Sequence, residues 1–307
     1  MTLSNQMIHW ITKSVDETAT VQSIIRLKGS TSSILHHVCL LTKGSTVNVV
    51  VRQFNNKEWL HEEPDLVVHE AHSLHLAEKA SVQTPKIIAY DETGEVCGIP
   101  AVLMTTLAGD VNLKPTDFNV WVHGLARALV SIHNVSAHDF AWSYFSYNQV
   151  ETWPLPNWSN EPDVWKQLIQ VAQGPAPDVV PCFIHRDYHP ANVLWQNDKI
   201  SGVVDWVNAC HGPAGVDVGH CRVNLAMLYD VETADAFLSA YEQHAGTDFR
   251  YDPYWDIIAL IDILFGPPTV YPGWAAFGVT GLTNQMMEER IDNYARSIYN
   301  RLNRLEA

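Results

Sequence analysis

Asp187 and Asn192 stand five residues apart on a turn, with Phe183 and Ile184 before them and Val193, Leu194 and Trp195 after. A carboxylate at the first position can accept a proton from an attacking hydroxyl. The carbonyl oxygen of the second can hold a magnesium ion, and together these are the parts of a phosphoryl-transfer site. Thirteen residues beyond Asn192, Asp205 closes the apolar run from Ile200 to Val204. A second carboxylate at a strand end suits a divalent cation that bridges nucleotide phosphates. The triplet His185-Arg186-Asp187 carries little by itself; the full spacing, with apolar runs on both sides, carries the inference.

A transferring phosphoryl group needs charge neutralisation and alignment more than covalent help, so one cation on the phosphates completes the set. The run from Asn48 to Phe54 offers Arg52 where kinases place a strand lysine. Arginine is permanently charged and binds phosphate as a fork, so the role survives, though its bulk changes the angle of approach. Lys43 and Lys57 are alternatives that flank the strand rather than project from its middle. Glu70, eighteen residues after Arg52, is the expected ion-pair partner, unless it is a solvated helix residue like Glu62 and Glu63. A phosphate-covering loop is expected between the first two strands at Gly29 to Ser33, with Ser30 against the nucleotide. One glycine among hydroxyl residues is a weak form of such a loop.

These residues need a scaffold. Val21 to Leu27, Ser33 to Leu41 and Thr46 to Phe54 are rich in β-branched residues and punctuated by Gly29 and by Lys43-Gly44, which predicts an antiparallel meander. A helix is expected over Glu62 to Lys79, then strands over Lys86 to Tyr90 and Ile99 to Thr105 around a turn at Asp91 to Gly94. After Gly109 the character changes to helices, over Val120 to Ile132, Pro162 to Ala172, and most of the chain from Val216 to a last one at Asn284 to Leu305. The reading is an α+β fold of two lobes, with a strand-rich lobe at 1–106 and a helix-rich lobe at 107–307.

With those elements placed, the chain resembles the aminoglycoside phosphotransferase-like family of small-molecule kinases, which share the protein-kinase-like fold. The resemblance runs from about residue 20 to 265 and is most specific from His185 to Asp217, where an Asp205-Trp206 pair takes the place of the Asp-Phe-Gly of protein kinases. It implies that Asp187 is the catalytic base and that Asn192 and Asp205 are the magnesium ligands. It further implies that Asp217 braces the catalytic loop through backbone hydrogen bonds, with His185 as structural support. The adenine would stack at the linker Met104 to Gly109 and pair with the Thr105 carbonyl and the Leu107 amide. ATP is the expected donor, with GTP an alternative, and Mg²⁺ the expected ion.

Only eleven residues separate Asp205 from Asp217, too few for a protein kinase's activation segment. Arg186 therefore has no phosphorylated residue to clamp, and a small hydroxylated acceptor is expected. His189 and Trp206 lie beside the reaction centre in sequence and are candidates to touch it. Trp255, Asp256 and Asp262, followed by Tyr271 and Trp274, place aromatic faces beside carboxylates, which suits an amine-bearing acceptor. Trp255 and Asp256 equally fit a core residue and a helix cap, whereas Asp262 inside an apolar run needs a partner. His69, His72 and His75 read as a helix face.

Composition narrows the classes. Apolar residues make up 47% and charged residues 17% of the 307 residues, a globular balance. A net charge of −15 argues against nucleic acid and anionic lipid as partners. The five cysteines are scattered without Cys-x-x-Cys pairs, and the start lacks a signal-peptide pattern. The apolar run Ile257 to Phe265 is too short to span a bilayer. A soluble cytoplasmic protein with no obligate protein partner is expected. The leading reading is an ATP- and magnesium-dependent phosphotransferase acting on a hydroxyl of a small molecule. The alternative is a catalytically weak, pseudokinase-like nucleotide-binding protein, for which Arg52 and the glycine-poor loop speak.

Overall fold

The computed structural model describes residues 3–29, 32–247 and 249–305. A helix, α1 (Asn5–Val15), leads into the antiparallel strands β1 (Thr20–Arg26), β2 (Ile34–Thr42) and β3 (Ser45–Gln53). Lys43 and Gly44 both take positive φ (45° and 84°) between Thr42 and Ser45, the backbone a two-residue hairpin needs to match strand twist. Two short helices follow, α2 (Lys57–Glu62) and α3 (Leu66–Ala77), then β4 (Ile87–Asp91) and β5 (Ala101–Thr105). The five strands form one sheet in the order β1-β2-β3-β5-β4.

Strand alternation decides what each face of that sheet does. Val49 and Val51 point to one face, where Leu3, Met7, Trp10 and Ile11 cover them. Val50 and Arg52 point to the other, toward α3 and the rest of the molecule. Helix α1 was not expected from the sequence, although Ser4 caps it by accepting the Met7 N–H at 3.1 Å and its buried residues follow helical spacing. The single helix expected over Glu62 to Lys79 is broken, because Pro64 cannot continue a helix and pushes Glu63 out of the helical region.

Beyond the sheet lie β6 (Asp110–Val111), α4 (Phe118–His133), α5 (Pro162–Ala172), β7 (Cys182–Ile184), β8 (Val193–Gln196), β9 (Lys199–Val203) and β10 (Cys210–Gly212). Helices α6 (Ala214–Leu228), α7 (Val231–Ala245), α8 (Tyr254–Ile263), α9 (Pro272–Ala276) and α10 (Asn284–Leu305) complete it. Helix α6 is buried nearly all round, packed by α7, α8 and α10, as expected of a helix without a polar face. Gly215 and Gly219 allow α8 to approach it; a Cβ at Gly219 would sit 2.4 Å from the Trp255 carbonyl oxygen. No helix among the described residues is long and apolar enough to cross a membrane.

Candidate active site

The loop from His185 to Asn192 connects β7 to β8 and is held from below by α6. Asp217, fully buried in the first turn of α6, accepts the His185 N–H at 2.7 Å and the Arg186 N–H at 2.6 Å. His133 Nε2 approaches the same carboxylate at 3.0 Å, and its Nδ1 meets the Tyr241 hydroxyl at 2.6 Å. Held this way, Arg186 takes a φ of 66°, a left-handed backbone that the surrounding bonds must stabilise. His185 is buried and donates Nε2–H to the Val204 carbonyl at 2.9 Å, tying this loop to the segment carrying Asp205. Burial lowers its pKa below the usual histidine value despite the nearby carboxylates, so it serves as a neutral brace.

Asn192 donates its amide N–H groups to the Asp187 carbonyl at 2.9 Å and to Asp187 Oδ2 at 3.1 Å. This turns its side-chain oxygen away from Asp187. Asp205 follows the end of β9 with φ at 70°, and Val204 N–H donates to the Asn192 carbonyl at 2.9 Å. Backbone bonds thus join the two segments that bear Asp187, Asn192 and Asp205. An amide oxygen and a carboxylate are hard donors of the kind Mg²⁺ takes, so this donor set fits the ion the sequence suggests.

Arg52 reaches the group from β3. Its Nη2 lies 2.6 Å from Asp205 Oδ1 and its Nη1 3.2 Å from Glu70 Oε1. Arg52 and Glu70 are only 3% and 1% exposed. Burial disfavours the Arg52 charge, but Asp205 and Glu70 outweigh it and raise its pKa. Burial pushes the Glu70 carboxyl up to about 7, against the pull of Arg52. Arg52 Nε is buried and finds no acceptor among the described residues. Lys43, 77% exposed, pairs with Asp16 at 3.1 Å at the far end of the hairpin, and Lys57 is exposed at the start of α2. Neither joins the group.

Asp187 is a third exposed. Its Oδ1 stands 3.1 Å from His220 Nε2 and 3.5 Å from His189 Nε2. Burial opposes ionisation, but the two imidazoles outweigh it and hold the carboxyl well below the usual carboxylate range. His220, three residues beyond Asp217 on α6, was missed in the sequence; helical spacing from Asp217 was the available signal. Two adjoining cavities open at Asp187. One, of about 650 Å³, is lined by Tyr144, Tyr147, Arg186, His220 and Asp262. The other, of about 660 Å³, is lined by His189, His220, Tyr271 and Trp274.

Three residues expected to touch an acceptor lie elsewhere. Trp206 is fully buried, stacked on Phe183, and donates its indole N–H to the Val203 carbonyl at 2.9 Å. Trp255 packs on Gly215 and Gly219 of α6 and lines neither cavity at Asp187. Asp256 is fully buried and accepts from Arg222 Nε at 2.8 Å and from the Tyr251 and Tyr294 hydroxyls, each at 2.7 Å. All three bonds fall on Oδ1, inside the helical core, and Oδ2 faces Arg301 Nη1 at 3.6 Å. Asp262 does face the first cavity, where it accepts from Ser146 Oγ at 2.5 Å and from the Tyr144 hydroxyl at 3.2 Å. Thr105 ends β5, its hydroxyl accepting the Lys86 N–H at 2.9 Å, and the Leu107 side chain packs against Gly202 of β9. Ser30 lies outside the described residues.

Comparison with known proteins bears on the family and the fold. The model of the phosphotransferase enzyme family matches residues 31–256, well over half of the chain. A homoserine kinase of Methylocella silvestris is 30% identical over 139 residues, which are 42% of this chain and 42% of that protein. The chain spans about half the length of the curated relatives it matches. A crystal structure of a putative aminoglycoside phosphotransferase from Ralstonia eutropha superposes with a TM-score of 0.62 at 16% identity, covering 97% of this chain and 98% of that one. A thermostable aminoglycoside phosphotransferase APH(4)-Ia, solved as a ternary complex with ADP and hygromycin B, gives 0.58 at 12% identity, with coverage of 97% and 98%. The fold is therefore the two-lobed, kinase-like α+β fold, a small antiparallel sheet joined to a mainly helical lobe.

Proposed function

The chain belongs to that phosphotransferase enzyme family, and on that premise we propose that it transfers the γ-phosphoryl group of ATP to a hydroxyl of a small molecule with Mg²⁺ bound. The observation that carries this reading is the 2.6 Å contact of Arg52 with Asp205 across the cleft. It gathers the cation from the sheet and the oxygen donors from the helical lobe beside the exposed edge of Asp187.

In this reading the acceptor hydroxyl donates to Asp187, which orients it in line with the γ-phosphorus. Its oxygen forms the new P–O bond as the bond to the β-phosphate oxygen breaks, and ADP leaves. Asp187 is a weak base, so it works mainly by orientation and takes the proton late, once the attacking oxygen has become acidic. Asn192 and Asp205 would hold Mg²⁺, which when bound supplies charge neutralisation on the phosphate oxygens. Arg52 places a second positive charge there, held in register by Glu70. His185 and Asp217 keep the loop in shape. The acceptor would lie in the cavities beside Asp187; the curated relatives carry the name homoserine kinase, and solved neighbours bind hygromycin B or gentamicin.

Magnesium-dependent ADP release with a panel of small alcohols tests this directly. Asp187→Ala should lower turnover by about 10²–10⁴-fold while nucleotide binding persists. Undiminished turnover in that variant would rule out the assigned base.

A further inference from the structure

Among the described residues, Arg52, Arg186 and Arg222 are the arginines at least nine-tenths buried. Arg52 is paired with Glu70 and Asp205, and Arg222 with Asp256 and Asp235. Arg186 makes no ion pair with any carboxylate of the described residues. Its guanidinium lies over the rings of Tyr147, Phe145 and Tyr144, at 4.0, 4.3 and 5.4 Å from their centroids, and Nη2 donates to the Phe145 carbonyl. Aromatic faces and one carbonyl offset only part of the cost of burying a charge. The same guanidinium lines the cavity of about 650 Å³ that holds Asp187. It is a desolvated cation, stiffened by stacking and by the fixed backbone at Arg186, that faces the proposed acceptor space without a counter-ion.

We infer that Arg186 recognises a carboxylate on the acceptor, and that the acceptor is a small hydroxylated amino acid. This rests on the phosphotransfer reading above. A planar guanidinium matches a carboxylate as a fork, and a low-dielectric wall strengthens the pair. A phosphate-bearing acceptor fits less well, because the carboxylates of Asp187 and Asp262 line the same cavity and repel a dianion. Asp262 supplies the complementary charge. It is joined to the Arg186 cluster through Tyr144, whose ring meets the guanidinium and whose hydroxyl donates to Asp262 at 3.2 Å. Arg186 and Asp262 on the wall of one cavity, with Asp187 beside them, suit a hydroxylated zwitterion, its carboxylate at Arg186, its ammonium at Asp262 and its hydroxyl at Asp187.

The test is ADP release from Mg·ATP with L-serine, L-homoserine and L-threonine, each beside the amino alcohol that lacks its carboxylate, and with hygromycin B. At least one amino acid should exceed its amino alcohol in kcat/KM by about tenfold or more, the scale of a charge-assisted hydrogen bond. Arg186→Met should erase that preference by raising KM for the amino acid more than for its amino alcohol, with KM for ATP unchanged, and Arg186→Lys should restore part of it. Amino alcohols or hygromycin B used as well as the amino acids by the unmodified protein would overturn the inference without any variant. So would a preference that survives Arg186→Met. Transfer that lacks the preference but is lost in Asp187→Ala removes only the role of Arg186. No ADP release with any acceptor overturns the phosphotransfer reading, and the role of Arg186 with it.

Discussion

At the scale of single residues, the Arg52–Glu70 pair shows how a charge can be both costly and necessary. Both groups are almost wholly buried, 3.2 Å apart, so removing one takes an opposite charge from the other in a low-dielectric setting. Such a loss costs about 3–5 kcal/mol, whereas replacing both by apolar groups often costs far less. Arg52→Met and Glu70→Gln should therefore each lower the melting temperature clearly, while the double variant loses less than the sum of the two. Strict additivity in chemical denaturation would mean that the pair is not coupled. Arg52 was legible because alternation along β3 and the count to Glu70 are local facts. The destiny of Asp256 was not, since Arg222 and Tyr294, which bond its Oδ1, lie 34 and 38 residues away. A carboxylate beside aromatic residues reads the same whether it meets a ligand or a buried guanidinium.

At the scale of elements, α3 decides whether Glu70 can serve the site, and its other contacts fix it to the helical lobe. His69 Nε2 donates to the Ala209 carbonyl at 2.6 Å, its ring lies parallel to Trp142 at 4.4 Å, and Trp142 donates to Asp65 at 2.8 Å. In the sequence His69 looked like one of three histidines on a helix face; its neighbours come from distant segments that no local pattern reveals. Burial holds the His69 pKa below its ordinary value, although the Ala209 bond opposes this. The unfolded chain therefore binds a proton more readily than the folded one, so His69 contributes stability above the unfolded pKa that is lost as pH falls through the folded one. Stability should decline on acidification below about pH 6.5, the ordinary histidine value. His69→Gln, which cannot titrate there, should flatten that decline relative to the unmodified protein in denaturation curves between neutral and mildly acid pH. Equal slopes would show that α3 is not held by a neutral His69. The break at Pro64, by contrast, was open to sequence reasoning, because the ring and missing N–H of proline act locally.

At the scale of the whole molecule, the sheet has two unlike faces. One is sealed by α1 with its own small core, and the other merges into the large core that runs through the helical lobe. The three-strand meander and the character of each lobe were readable because periodicity and turn residues act over short spans. The way the lobes meet was not, because it depends on pairs such as Arg52 and Asp205, 153 residues apart. That cross-cleft contact also sets the final prediction. A ligand that binds only the folded state stabilises it by RT ln(1 + [L]/Kd), about 2.7 kcal/mol at a hundredfold excess over Kd. Mg·ATP should therefore raise the melting temperature, and a chelator should remove most of the increase, because without the ion the phosphate charge would meet the carboxylates of Asp187 and Asp205 with less to offset it. Asp205→Asn should weaken the magnesium-dependent part of the shift more than the shift given by ATP alone, since it removes the formal charge offered to the ion. A thermal shift unaffected by magnesium in both proteins would mean that Asp205 serves Arg52 and the junction of the lobes rather than a metal.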